Sequence, residues 1–199
     1  MALRLEFWPT LAFIVLMMSW FGFAAVFLVL GNKSKSPPDR KRAPGSLLGV
    51  LFQAGAYAIV WVWHRQYFSP IIPMGVPAEI VTTIVISAIS IGSAAFVLRA
   101  RQALGKEWSV TARLVQGHKL VTEGPYGIVR NPIYTGMFGL LLATGLVVSH
   151  WMGLLIAVVV FAIGTAIRVR SEEKLLRKAF GAEFDAYARK VPAVVPFLF

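Results

Sequence analysis

The chain has 199 residues, of which 57% are hydrophobic and 15% charged, and its formal net charge is +11. Soluble domains are nearer half apolar and a quarter charged, so these values exclude an ordinary soluble domain and indicate a polytopic membrane protein. The sequence contains no cysteine, which excludes disulfides, thiolate metal sites and cysteine nucleophiles.

Of the 20 basic residues, all but Arg4 and Arg65 form three clusters, at 33–42, 99–130 and 168–190, separated by long apolar runs. A basic chain can indicate nucleic-acid binding, but clusters that alternate with apolar runs are the positive-inside pattern of membrane proteins. We therefore interpret the charge as membrane topology, with contact to anionic membrane lipids as a second role. No nucleic-acid partner is expected.

Five apolar runs predict the helices. In chain order they are Phe7–Leu30, Leu47–Trp63, Ile80–Leu98, Met137–Val148 and Trp151–Ile167. A membrane-crossing helix needs about 20 residues. The fourth run approaches that length only when counted from Tyr134, so we expect a tight helical hairpin with the fifth, joined at Ser149-His150. Small residues at Gly92-Ser93-Ala94-Ala95 suit close helix packing.

The predicted fold is an all-α membrane protein with about five transmembrane helices, a C-terminal helical hairpin and a cytoplasmic cofactor pocket. Five spans with the N-terminus outside place all three basic clusters on one face, whereas four would leave the last cluster on the wrong side. Residues 1–98 would hold the first three spans. Residues 99–199 would form the catalytic region and end in a cytoplasmic segment.

The segment 124–136 separates two apolar runs and is dense in glycine and proline, with Tyr126, Arg130, Asn131 and Tyr134 among them. Proline removes a backbone donor and glycine permits positive φ, so the segment cannot be one regular spanning helix. Irregular backbone at membrane depth is tolerated where protein or a water-filled cavity covers it. This segment is therefore the first candidate for the functional site.

A second polar stretch continues the fifth apolar run out of the membrane. Arg168 and Glu172 lie four residues apart and would share a helix face, Glu173 follows directly, and Gly181 should break the helix. A solvated helix end would also explain these charges. Because they project toward the same face as the segment 124–136, we favour a functional role.

No dinucleotide-binding, phosphate-binding, zinc-protease or nucleophile-elbow motif occurs, and the three histidines are too scattered to predict a metal site. What remains is a cytoplasmic-face cavity that combines aromatic rings, a carboxylate and two guanidiniums. It would be bounded by Lys119, Leu120, Val121, Tyr126, Arg130, Asn131, Pro132, Tyr134, Arg168 and Glu172. This set suits a zwitterionic, cationic cofactor beside an anionic, lipid-borne partner.

Two motifs carry a resemblance to a known family. They are Gly124-Pro125-Tyr126 with Val129 to Gly136, and Glu172-Glu173-Lys174-Leu175-Leu176 with Phe180-Gly181 and Tyr187 to Pro192. Together they resemble the isoprenylcysteine carboxyl methyltransferases, which are related to the phospholipid N-methyltransferases. The resemblance covers about residues 95–199 and implies methyl transfer from S-adenosylmethionine to a lipid-linked or prenylated substrate at the membrane surface.

The resemblance also implies roles for individual residues. The cofactor-binding positions would be His118, Lys119, Leu120, Val121, Tyr126, Asn131, Pro132, Ile133, Tyr134 and Glu172. Arg168 would lie on the substrate side and orient the acceptor, with Arg130 and Glu173 as further catalytic candidates. The expected chemistry is direct displacement at the sulfonium methyl, for which an ionised carboxylate acceptor needs no general base.

The isoprenylcysteine enzymes have histidine where this chain has Asn131, and Asn-Pro-x-Tyr is closer to the phospholipid enzymes. The Gly-x-Gly element of the phospholipid enzymes is missing, and the C-terminal motif is closer to the carboxyl methyltransferases. A carboxylate acceptor is therefore favoured, with an amine acceptor as the alternative. An amine would first have to lose a proton, with Glu173 or His118 as candidate bases.

Two other classes remain open: a membrane reductase of the sterol-reductase type, and a non-catalytic protein that binds the cofactor for sensing. A nicotinamide requirement would identify the first, and cofactor binding without turnover the second. The compact chain, without an organelle signal, suggests a bacterial or archaeal plasma membrane, with the endoplasmic reticulum as the alternative for a eukaryotic source. The sequence leaves the oligomeric state and the identity of the acceptor open.

Overall fold

A computed structural model describes residues 6–29, 46–71, 75–105 and 120–196. The regular structure in these ranges is helical, and the one strand-like feature among them is an isolated bridge between His64 and Ser149. The helices are α1 (Phe7–Val29), α2 (Ser46–Val62), α3 (Val76–Leu104), α4 (Pro132–Val148), α5 (Trp151–Phe180) and α6 (Ala182–Lys190). The predicted all-α class is confirmed for the described residues.

Three of these helices, α1, α3 and α5, are long and apolar enough to cross a membrane. Helices α2 and α4 are apolar but have only 17 residues each. These are the features of an integral membrane protein, and the count of five spans stays a prediction. The expected hairpin is present, because α4 and α5 are joined by Ser149 and His150.

Two helices begin earlier than the apolar pattern predicts. Helix α3 begins at Val76 instead of Ile80, with Pro77 in its first turn, and α4 begins at Pro132. The predicted run from Ile80 left Pro77 outside the helix, which is wrong. The first N–H groups of a helix have no intrahelical acceptor, so a proline there removes no hydrogen bond and its fixed φ already suits the helix.

Helices α3 and α4 cross at small residues. A Cβ added to Gly136 would meet a methyl group of Val97 and would lie 2.9 Å from the carbonyl oxygen of Ser93. A Cβ added to Gly139 would meet the Ser93 hydroxyl. The close packing predicted for the segment 92–95 is therefore confirmed at Ser93, and it holds the start of α4 against α3.

The opposite end of α4 is capped by Arg65, which lies in the loop between α2 and α3. Its guanidinium donates to the carbonyl oxygens of Leu146 and Val147, both at 2.8 Å, and of Ser149 at 2.6 Å. The last carbonyls of a helix lack intrahelical donors, so a cation there satisfies them and complements the helix dipole. Burial lowers the pKa of Arg65 to about 10, which leaves it cationic at neutral pH.

Candidate functional site

The functional segment predicted from the sequence is an irregular stretch that leads into α4. Gly124–Gly127 forms a single 3₁₀ turn, entered through Gly124 at a φ of +61°. Asn131 precedes the first helical residue, Pro132, and its carbonyl accepts the backbone N–H of Tyr134 at 3.0 Å. The prediction that this segment is not one continuous helix is confirmed.

The residues after α6 lie against this segment, and we refer to residues 191–194 as the C-terminal strap. The backbone N–H groups of Arg130 and Asn131 donate to the carbonyls of Pro192 and Ala193, at 2.8 and 3.0 Å. The Asn131 side chain donates to the same Ala193 oxygen at 3.0 Å. The two sequence motifs are thus joined directly through their backbones.

The Arg130 guanidinium links three elements. Its Nε and Nη2 both lie 2.9 Å from Oε1 of Glu173 on α5. Its Nη1 donates to the carbonyl of Ala188 on α6 at 2.8 Å and to that of Val191 in the strap. Both partners of the ion pair are largely buried, with side chains 13% and 14% exposed. Arg130 and Glu173, both predicted to be catalytic, therefore bind each other, and their catalytic role stays a prediction.

A cavity lies between the two motifs. Its lining among the described residues consists of Leu104, Leu120, Val121, Tyr126, Arg130, Asn131, Glu173, Leu176, Phe184 and Tyr187. The Tyr187 hydroxyl donates to the carbonyl oxygen of Tyr126 at 2.6 Å, which joins the two aromatic walls. The cavity therefore combines aromatic and aliphatic surface with one ion pair.

The two cavity tyrosines are neutral hydrogen-bonding groups. Burial raises the pKa of Tyr126, and the neighbouring Tyr187 and Glu172 raise it further. Burial also raises the pKa of Tyr187 to about 12. Because ionisation of either phenol is suppressed at physiological pH, Tyr187 remains able to donate its hydrogen bond.

A second group of side chains surrounds Glu172, which directly precedes the cavity residue Glu173 on α5. The Tyr134 hydroxyl donates to Oε1 of Glu172, and Arg168 Nη2 lies 3.3 Å from the same oxygen. The Arg168 guanidinium also lies over the Tyr134 ring, 5.1 Å from its centroid. Arg168 and Tyr134 are only 9% and 7% exposed. Together they form a buried group of phenol, guanidinium and carboxylate.

The consecutive carboxylates Glu172 and Glu173 serve different groups. Neighbouring residues of a helix do not face the same way, so Glu172 points toward Tyr134 and Arg168 while Glu173 lines the cavity with Arg130. The expected pairing of Arg168 with Glu172 across one turn is present.

The structure therefore divides the predicted site residues between the cavity and the buried group. Leu120, Val121, Tyr126 and Asn131 line the cavity, whereas Tyr134 and Glu172 belong to the buried group. Pro132 is buried and Ile133 half-buried at the start of α4. His118 and Lys119 lie outside the described residues.

Four cavity residues were missed as site residues by the sequence interpretation: Leu104, Leu176, Phe184 and Tyr187. The two aromatic residues lie three positions apart on α6, where i, i+3 spacing places both on one face. That spacing is a weak signal, because it is equally typical of ordinary helix packing.

Comparisons with known proteins match the second half of the chain. The family model described as phospholipid methyltransferase matches residues 81–183. Protein-S-isoprenylcysteine O-methyltransferase B of Arabidopsis thaliana is 35% identical over 89 residues, 45% of each chain. The Schizosaccharomyces pombe protein-S-isoprenylcysteine O-methyltransferase is 32% identical over 89 residues, 45% of this chain and 38% of its own.

A relative with a different name matches a similar stretch. The nickel-cobalt-cadmium resistance protein NccN of Alcaligenes xylosoxydans xylosoxydans is 36% identical over 98 residues, 48% of this chain and 45% of its own. The chain thus spans less than half the length of the curated relatives that it matches.

Proposed function

Because the chain belongs to the phospholipid methyltransferase family, we propose that it is a membrane methyltransferase that uses S-adenosylmethionine and methylates a lipid-linked carboxylate. The family match covers more than half of the chain and confirms the kind of protein that the two motifs predicted. The observation that carries the proposal is the cavity between these motifs, adjacent to the buried group of Tyr134, Arg168 and Glu172.

The cavity suits the proposed methyl donor in the chemistry of its lining. Two aromatic residues of the lining, Tyr126 and Tyr187, are available to contact a nucleobase or a cation. Glu172 does not line this cavity and is held by Tyr134 and Arg168, but it directly precedes the cavity residue Glu173 and remains the proposed partner of the amino group. When bound, S-adenosylmethionine supplies an electrophilic methyl group.

Arg168 is the proposed anchor for the acceptor. A guanidinium binds a carboxylate bidentately, and Tyr134 and Glu172 hold this one in place from two sides. Its burial keeps water from competing for the acceptor, so orientation and exclusion of water would supply the catalysis.

The hydrogen bonds of Glu173 favour a carboxylate acceptor over an amine. An amine must lose a proton before it attacks, and Glu173 was a candidate base for that step. In the structure Oε1 of Glu173 is already engaged by Nε and Nη2 of Arg130, both at 2.9 Å, so this oxygen is not free to accept a proton from an amine. A carboxylate acceptor requires no base. The names of the isoprenylcysteine relatives support the same choice.

We place the site at the cytoplasmic face of five spans. Both halves of the site, the start of α4 and the polar end of α5, lie at the same end of the helices as Arg101 and Arg170. An excess of cations at one end is typical of the cytoplasmic side. Accessibility labelling of single cysteines introduced at exposed positions of this end would test the orientation.

The proposal is tested first by calorimetric titration of the detergent-solubilised protein with S-adenosylmethionine. We expect saturable binding by the wild type and binding about 10- to 100-fold weaker in Glu172→Gln, because a hydrogen bond to a charged group contributes about 1.5–3 kcal/mol. Glu183→Gln is the matched control, since Glu183 is exposed on α6 away from the cavity lining.

Turnover is tested next with labelled methyl donor and a prenylcysteine analogue as acceptor. Transfer to the acceptor carboxyl group is the expected result. Absence of donor binding by a folded wild type contradicts the proposal. Binding with transfer only to amine lipids would leave the methyltransferase assignment in place but refute the carboxylate acceptor.

A further inference from the structure

Helix α2 crosses α5 at two glycines. A Cβ added to Gly164 would lie 2.7 Å from Cβ of Phe52 and 2.8 Å from the carbonyl oxygen of Gly49, so the two backbones are in direct contact. One turn further along α2, Gln53 Nε2 donates to the Thr165 hydroxyl at 2.9 Å in a buried hydrogen bond. This bond fixes the register of α2 on α5.

That register places Gly49 under the side chain of Arg168. A Cβ added to Gly49 would collide with Arg168 Cγ, and would lie 2.7 Å from the backbone carbonyl oxygen of Gly164 and 3.3 Å from Arg168 Cδ. The aliphatic stem of Arg168 therefore lies along the bare backbone of α2. Its guanidinium is held at the other end by Glu172 and by the Tyr134 ring.

We propose that Gly49 is a positioning residue for the acceptor, acting through Arg168. The inference rests on the proposed function, in which Arg168 orients the acceptor carboxylate. Gly49 lies in α2, before the segment 81–183 that the family model matches, so the N-terminal part of the chain would contribute to the geometry of the site. Any side chain at position 49 would push the stem of Arg168 away from α2 and displace its guanidinium.

The test is the kinetics of methyl transfer by Gly49→Ala beside two controls. Gly164→Ala disturbs the same helix crossing but meets Phe52, Gly49 and Gln53 rather than Arg168. Gly55→Ala lies on the same helix and meets nothing within 4 Å. The readouts are kcat and KM for the acceptor, and the dissociation constant of S-adenosylmethionine.

Gly49→Ala should lower kcat/KM for the acceptor by about 10- to 100-fold, since a displacement of about 1 Å in a positioned group can cost this much. Donor binding should change by less than about threefold, and Gly55→Ala should match the wild type. Equal losses in Gly49→Ala and Gly164→Ala would overturn the inference, because packing alone would then account for both. An inactive wild type would instead refute the proposed function.

A stability cycle keeps the inference testable if Gly49→Ala folds poorly. Gly49→Ala is introduced into the wild type and into Arg168→Ala, and the thermal unfolding midpoints are compared. If the collision with the arginine stem matters, the substitution lowers the midpoint less in the Arg168→Ala background. An equal loss in both backgrounds, or failure to fold in both, assigns the cost to the Gly164 backbone and overturns the inference.

Discussion

Replacement of Arg130 by methionine would remove the ion pair with Glu173 and the bonds to the carbonyls of Ala188 and Val191, while keeping most of the aliphatic stem. Removing one partner of a buried ion pair costs about 3–5 kcal/mol. The side chains of Arg130 and Glu173 are 13% and 14% exposed. We therefore expect the free energy of unfolding to fall by about 3 kcal/mol, at the lower end of that range. Unfolding in mixed detergent micelles, followed by circular dichroism, measures this loss.

Two further variants separate the charge from the shape of the arginine. Arg130→Lys keeps a cation for Glu173 but lacks the planar guanidinium that also reaches the carbonyls of Ala188 and Val191. It should therefore be more stable than Arg130→Met and less stable than the wild type. The double variant Arg130→Met/Glu173→Met leaves no unpaired charge and should be more stable than Arg130→Met alone. A wild-type unfolding free energy in Arg130→Met, or additive losses in the double variant, would refute the interpretation of Arg130 as a link between α5, α6 and the C-terminal strap.

Two other predictions concern the opposite end of the bundle and the cavity wall. Arg65→Met should lower the free energy of unfolding by about 1.5–3 kcal/mol, because the last carbonyls of α4 lose a charged donor. The same assay on Arg99→Met, at an exposed position, should show little change, and equal effects would contradict the capping role. The pKa of Tyr187 is raised from 10.0 to about 12, so its contribution to stability is complete below pH 10 and is lost as the pH rises toward 12. Unfolding measured between pH 9 and 12 should show a smaller decline in Tyr187→Phe than in the wild type, and identical slopes would rule out this contribution.

Local features of the sequence predicted much of the fold. Apolar runs gave the helices, with most ends within a few residues, and glycine and proline marked the breaks around Gly124 and Gly181. These features depend on neighbours within a few residues, because a helix is closed by bonds between residues four apart. The start of α3 was misplaced because Pro77 is compatible with either a loop or a first helical turn.

The sequence placed the residues of two motifs in one cavity. The structure brings the two motifs together but assigns only some of these residues to the cavity lining. Sequence reasoning grouped Arg130 with Arg168 as two available guanidiniums. In the structure Arg130 is bound to Glu173, and Arg168 belongs to a separate buried group. The direction of each side chain depends on how α4, α5 and α6 meet, which the pattern of residue types does not specify.

By itself the sequence determined the membrane class, the approximate helices and the family, since composition, hydrophobic runs and two motifs are all readable along the chain. Only the tertiary structure decided which carboxylate faces the cavity, that α6 supplies two of its aromatic walls, and that Gly49 of α2 lies under Arg168. The contacts responsible join residues far apart in the chain, such as the 43 positions between Arg130 and Glu173. They form when packed helices bring together groups that are costly to bury alone and stable when paired.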